Sequence, residues 1–116
     1  MFITDGTNIR VPRGDTASVP FTFYTENEET ETPYRFAAGQ YAQLTVSAVK
    51  GSEAVITKTA GRAEQSSDGT VFIGLTSADT DIGRGRYIYT VRLMNSDGSR
   101  IDTWLGAETA AVFEII

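Results

Sequence analysis

The strongest pattern along the chain is alternation with a period of two. In the segment Arg86–Asn95, Tyr87, Tyr89, Val91 and Leu93 share one phase, and Ile88, Thr90, Arg92 and Met94 share the other. Two residues is the side-chain repeat of an extended strand, so the first set predicts a row facing a core. The alternation recurs in Thr16–Thr25, with Val19, Phe21 and Phe23 inward, and in Tyr41–Lys50, with Ala42, Leu44, Val46 and Ala48 inward. It recurs again in Thr70–Thr76, with Val71, Ile73 and Leu75 inward. Thr7–Val11 (with Phe2–Thr4 before it), Ala54–Thr59, Arg100–Leu105 and Ala110–Ile116 complete the predicted strands. Pro20 removes one ladder donor, which predicts an edge or a bulge in its strand.

The segments between the strands read as turns. Ser77–Asp81 predicts one helical turn, with Ser77 as its cap and Gly83 and Gly85 ending it. Asn95-Ser96-Asp97-Gly98 predicts a hairpin turn in which Gly98 adopts φ > 0. Gly106–Glu108 predicts a bulge before the last strand. Glu26–Pro33, with Glu26, Glu28, Glu29 and Glu31, predicts a solvated surface loop, because four carboxylates in six residues repel one another. Gly61–Asp68 predicts a second polar loop.

Composition strengthens the strand reading. Val, Ile and Thr make up 33 of the 116 residues, against four Leu. Branching at Cβ suits a pleated surface better than a helix. No segment carries a helical pattern longer than a turn or two. The prediction is a single all-β domain over residues 1–116: many short antiparallel strands in a sandwich or barrel.

The chain has no Cys and no His. That excludes a disulfide, a thiolate nucleophile, a Cys-ligated metal centre and a Ser-His-Asp triad. A net charge of −5 and a pI near 4.6 disfavour phosphate backbones, so nucleic acid is not an expected partner. No apolar run approaches the ~18 residues of a membrane span, and Met1-Phe2-Ile3-Thr4-Asp5 lacks the basic start of a signal peptide. No cofactor is expected.

Three pieces of the chain together resemble a known family. They are Arg13-Gly14-Asp15-Thr16 leading into an alternating strand; Asp68-Gly69-Thr70-Val71-Phe72-Ile73-Gly74-Leu75-Thr76 followed by Ser77-Ala78-Asp79-Thr80; and Gly85-Arg86-Tyr87-Ile88-Tyr89-Thr90-Val91-Arg92-Leu93 followed by Asp97-Gly98 and a final apolar strand. This resembles the N-terminal immunoglobulin-like domain of phage baseplate upper proteins, which are virion components of tailed phages and prophages. The resemblance implies an immunoglobulin-like β-sandwich of about seven antiparallel strands. It implies a place in the virion tail or baseplate after synthesis in the bacterial cytoplasm. It also implies other tail or baseplate proteins, or copies of the chain itself, as partners. Where the family often has an acidic residue after the second tyrosine, this chain has Thr90. Longer members continue into a receptor-binding region, so only the attachment role is carried over.

Several residues pose as sites. Arg13-Gly14-Asp15 spells an integrin-recognition triplet, but it reads more simply as a turn before a strand. Asp79 and Asp81 could hold a cation or share a proton; alternatively they are acids of a helical first turn. Tyr87 and Tyr89 could stack on a sugar, yet they share a phase with Val91 and Leu93 and so read as core. The candidate interface comprises Tyr34, Phe36 and Tyr41 around a glycine bend, Trp104, and Val112 and Ile116 on the outer phase of the last strand. Pairing of that strand with a neighbouring copy is a further option.

The function expected is a non-catalytic assembly module that docks through edge strands and loops. A carbohydrate-binding or adhesive immunoglobulin-like module of a bacterial surface protein is the alternative. An enzyme would have to rely on carboxylates alone, and Glu114 is the one acid in an apolar strand setting.

Overall fold

The structure is a computed structural model that describes residues 2–3, 9–26, 31–49, 52–103 and 112–116. It is mostly β-strand. The order is β1 (Phe2–Ile3), β2 (Ile9–Val11), β3 (Ala17–Thr22), β4 (Tyr24–Glu26), β5 (Glu31–Pro33), β6 (Tyr41–Ser47), β7 (Ala54–Gly61), β8 (Thr70–Leu75), α1 (Ser77–Thr80), β9 (Gly85–Met94), β10 (Arg100–Thr103) and β11 (Val112–Ile115). A 3-10 turn at Arg62–Glu64 follows β7.

The strands form three sheets. The largest has six strands in the order β2-β11-β9-β6-β7, with β10 also paired to β9. β6 runs along one edge of β9, while β11 and β10 share the other. β2 is parallel to β11, and the remaining pairs of this sheet are antiparallel. β3 pairs with β8 in a two-stranded sheet, and β1-β4-β5 form the third.

The predicted inward rows form the core. Val19, Phe21, Phe23, Ala42, Leu44, Val46, Val71, Ile73, Leu75, Tyr89, Val91 and Leu93 are all buried, and Phe36, Phe113 and Ile115 join them. One apolar cluster collects these side chains from both the six-stranded and the two-stranded sheets. Phe21 of β3 meets Tyr89 of β9 with ring centroids 6.1 Å apart, and Tyr89 meets Phe113 edge-on at 6.5 Å. Offset and edge-on rings at this spacing add to the stabilisation from burial.

The structure revises several expectations. The described residues hold eleven strands where about seven were expected, because Thr16–Thr25 is divided and a strand forms within the predicted loop Glu26–Pro33. Thr16–Thr25 breaks at Phe23, so that β3 pairs with β8 and β4 with β1 and β5. Glu26–Pro33 is not wholly a loop: β4 and β5 pair in the register Tyr24↔Pro33, Thr25↔Thr32 and Glu26↔Glu31. Thr25 and Thr32 carry high strand propensity, which favours a ladder over a loop there. Ala48 is exposed, because β6 ends at Ser47 and the chain bends where the Val49 amide bonds to the Ser52 hydroxyl. Within Gly61–Asp68, Gly61 belongs to β7 and Gln65 bridges to Val71.

The helical turn is capped one residue earlier than expected. The Thr76 hydroxyl accepts from the Asp79 amide, and the Asp79 carboxylate accepts from the Thr76 amide. This reciprocal box satisfies two otherwise free donors, which Ser77 cannot do from inside the turn. Pro20 meets the edge expectation, since among the described residues its strand pairs on one side alone. The hairpin turn forms as expected, with Gly98 at φ 86°. The β9–β10 register slips between Arg100 and Asp102. The expected bulge at Gly106–Glu108 lies outside the described residues.

Candidate docking surfaces

The expected aromatic cluster is mostly turned into the protein. Phe36 is 3% exposed and packs on Phe23 with ring centroids 6.2 Å apart. Tyr34 is half-buried beside Phe36 and donates its hydroxyl to Gln40 Oε1 at 2.8 Å. Tyr41 is half-buried at the start of β6, opposite Met94 and Gly61. Phe36 is therefore a core residue. Trp104 lies outside the described residues.

Two glutamines that the sequence pattern did not single out hold this region. Gln65 accepts from the Phe36 amide at 2.9 Å through Oε1 and donates through Nε2 to the carbonyls of Tyr34 and Gly69, both at 2.8 Å. Gln40 accepts from the Ala37 amide at 2.8 Å as well as from Tyr34. A polar residue between two glycine turns is the one signal that could have pointed to Gln65. Its partners are distant in sequence, and no periodicity reveals them.

The last strand behaves as its alternation predicts, but not as an edge. Phe113 and Ile115 are buried, Val112 and Glu114 are half-buried, and Ile116 is 45% exposed. β11 has β2 on one side and β9 on the other, so neither edge is open to a second copy. Ile116 is tied down through its backbone: its amide bonds to the Val11 carbonyl, and its carbonyl accepts from the Arg13 amide.

The outward face of the six-stranded sheet can be read row by row from the register. Arg10, Glu114 and Arg86 form one row across β2, β11 and β9. Val112, Ile88 and Ser47 form the next, and Thr90, Thr45 and Thr57 another. The Thr45 and Thr90 hydroxyls bond at 2.6 Å. Arg92, Gln43 and Thr59, then Met94, Tyr41 and Gly61, complete the face. Val112 and Tyr41 of the candidate interface thus belong to one continuous surface. On the two-stranded sheet, Phe72 is 42% exposed with Pro20 opposite it. Phe72 falls on the outward phase between Val71 and Ile73, so alternation alone marks it as an exposed aromatic.

The remaining candidates resolve into structural roles. Arg13 and Gly14 sit in a turn where Gly14 takes φ 82°, Arg13 Nε meets Asp81 Oδ1 at 3.0 Å, and the Asp15 carbonyl accepts from the Thr80 hydroxyl at 2.6 Å. Asp79 pairs with Lys58 at 3.0 Å and closes the cap, so Asp79 and Asp81 have separate partners. Partial burial opposes ionisation of Asp79, but the Thr76 amide, Lys58 and the Thr76 hydroxyl together outweigh it, and the carboxyl sits below its ordinary range. Asp68 is lowered by the Ser66 hydroxyl and the Thr70 amide, and Asp97 by the Ser99 hydroxyl and amide. Such bonds favour the ionised form. Tyr89 is buried, and Tyr87 donates its hydroxyl to the Gly83 carbonyl at 2.5 Å.

Among the described residues, no group of three or more Asp or Glu is placed to hold a metal ion, and no helix is long and apolar enough to cross a membrane. Comparison with family models, with curated proteins and with solved structures gives no match.

Proposed function

We propose that the chain is an immunoglobulin-like β-sandwich acting as a non-catalytic docking module in the tail or baseplate of a phage or prophage. The observation that carries the fold is the corner at the start of β9. Tyr87 lies two residues before the buried Tyr89 and bonds back to the Gly83 carbonyl. Immunoglobulin-like sandwiches place a tyrosine in this way at the turn into their sixth strand. The central position two residues on, where antibody domains have an inter-sheet disulfide, holds Tyr89 against Phe21. The adjacency β11-β9-β6-β7 matches the sheet order of variable-type domains, and β3-β8 matches the facing pair.

Docking is the activity this arrangement serves best. The outward face of the six-stranded sheet offers a half-buried apolar row, Val112–Ile88, beside a flat threonine row. A stable contact needs about 800 Å² per partner, so this face would supply the centre of such a contact and the loops around it the rest. The three sequence pieces that resemble baseplate upper proteins supply the setting. Mass spectrometry of tails purified from an induced host that encodes the chain tests the reading. Stoichiometric recovery with the tails is the expected result; recovery only in the soluble fraction overturns it.

One observation favours a second reading, a carbohydrate-binding module. Phe72 stands exposed beside Pro20 on an open sheet face, a platform on which a sugar ring can stack. Glycan-array binding that is lost in Phe72→Ala is the outcome that favours it over tail docking.

A further inference from the structure

The outward face of the six-stranded sheet carries a charge opposite in sign to that of the whole chain. Four of the ten basic residues share it: Arg10 on β2, Arg86 and Arg92 on β9, and Arg100 on β10, opposite Met94. Among the described residues, Glu114 is the one acid whose register places it in that phase, in a chain whose net charge is −5. Glu114 lies between two of the arginines, 2.9 Å from Arg10 Nε and 3.7 Å from Arg86 Nε. One carboxylate cannot neutralise two guanidinium groups, and those side chains are 66% and 79% exposed.

Arg92 differs from the other three. It stands in mid-sheet, with Gln43 of β6 in register on one side and Thr103 of β10 on the other. Its side chain is half-buried, and its Nε is buried with no hydrogen-bond partner. Among the described residues no carboxylate is paired with it. A buried donor without an acceptor is costly, and a charged one more so, and an acceptor brought from outside the chain removes that cost. The acceptor that fits a guanidinium best is a carboxylate, which can take two parallel bonds from it. Arg86 and Arg92 lie on one strand, six residues and therefore roughly 20 Å apart. Between them run the Val112–Ile88 row and the bonded Thr45–Thr90 pair. The face thus has cations at both ends and an apolar, hydroxyl-bearing middle.

We infer that this face docks an acidic surface of another protein, with Arg92 as the anchor for one carboxylate and the arginine row Arg10–Glu114–Arg86 receiving a second about 20 Å away. An arginine desolvated inside a contact is a recurrent source of binding energy. The apolar row favours a protein over a nucleic acid, because a phosphate backbone has nothing to place against Val112 and Ile88 and the net charge of the chain repels it. The inference rests on the docking reading above and names the chemistry of the partner and the residue that reads it.

Nuclear magnetic resonance of the full chain tests it, with a blocked polyglutamate peptide of about ten residues, long enough to span ~30 Å, as the probe. The Arg92 Nε–H signal, assigned through its own side chain, should shift as the peptide is added, together with amides of β9 and β6. Binding should weaken as salt is raised from about 0.01 M to about 1 M, where the screening length falls from ~30 Å to ~3 Å. Arg92→Gln should bind roughly tenfold more weakly, the loss expected for hydrogen bonds made by a charged group. Arg35→Gln makes the same charge change at a side chain that bonds the Ser67 carbonyl, and it should bind nearly as the wild type does. An Arg92 signal that stays in place at about 1 mM peptide overturns the inference, whether or not Arg92→Gln folds. Equal weakening by the two substitutions overturns it as well. So does an oligothymidylate of the same charge that shifts the Arg92 signal at lower concentration than the peptide, which assigns the face to nucleic acid. A shift on raising the protein concentration without peptide assigns the face to a second copy and also overturns it. Recovery of the chain with purified tails is read independently, so acid binding can fail while tail docking stands.

Discussion

Removing the Gln65 side chain should loosen one corner of the protein and leave the rest of the sheet intact. Gln65 makes three hydrogen bonds of 2.8–2.9 Å that join the segment after β5 to the turn before β8. In Gln65→Ala the Phe36 amide and the Tyr34 and Gly69 carbonyls lose that partner together. A net value of about 1 kcal/mol per bond gives ~2–3 kcal/mol, because the site is only part-buried and water can replace some of what is lost. Against a total stability of roughly 5–15 kcal/mol this is a large fraction. For a domain of this size about 1 kcal/mol moves the melting temperature by ~4 °C, so the expected fall is about 8–12 °C. Hydrogen exchange should localise the effect. The Phe36 amide donates to Gln65, so its exchange should accelerate, while amides in the centre of β6 and β9 keep their protection relative to global unfolding. A variant that melts within about 2 °C of wild type, with the Phe36 amide still slow, would refute the reasoning.

The two outer glycine turns should respond differently to the same change. Gly39→Ala places a Cβ 2.8 Å from the Ser96 Cβ at φ 84°, whereas Gly98→Ala at φ 86° meets open space. Thermal melts should show a cost of about 1 kcal/mol at Gly98 from backbone strain alone and a clearly larger one at Gly39. Tyr87→Phe should cost about 1 kcal/mol through the lost bond to the Gly83 carbonyl and should speed exchange in the turn before β9. Asp68, Asp79 and Asp97 all titrate below the ordinary value of 3.8 in the folded state. Their contribution is therefore fully present above that value and lost as pH falls through the lowered folded values, so urea midpoints should be flat near neutrality and drop below about pH 4. Asp79→Asn, which removes the most buried of the three, should flatten that drop measurably.

The core was legible because burial in a sheet imposes a two-residue repeat on the sequence. Val71, Ile73 and Leu75, and likewise Tyr89, Val91 and Leu93, are readable without coordinates for that reason. Phe36 was misread for the complementary reason: it lies between strands, where no period applies, and its burial depends on Phe23 and Gln65. The division of Thr16–Thr25 was hidden as well. Phe23 keeps the inward phase while the ladder changes partner around it, and alternation reports phase, not partner. The arginine row needed the parallel pairing of β2 with β11, which joins residues 104 positions apart.

That pairing also changes where contacts between molecules can form. Among the described residues, β2 and β7 end the main path of the six-stranded sheet, and β10 pairs with β9 alone. β2 has three residues and is followed directly by Pro12, which offers little backbone for another chain to pair with. β7 is eight residues long and would be the exposed edge at risk, but Lys58 occupies its inward phase between the buried Ile56 and Ala60. Asp79 of the helical turn holds that ammonium at 3.0 Å. A strand pairing against β7 would have to accommodate a charge on the core side, a recurrent way of protecting an edge from unwanted pairing. With one of these edges short and the other guarded, backbone ladders at β2 and β7 are disfavoured. The broad outward face and the charged row at its end are then the surfaces best suited to specific contacts, and side-chain chemistry, unlike a ladder, can distinguish one partner from another.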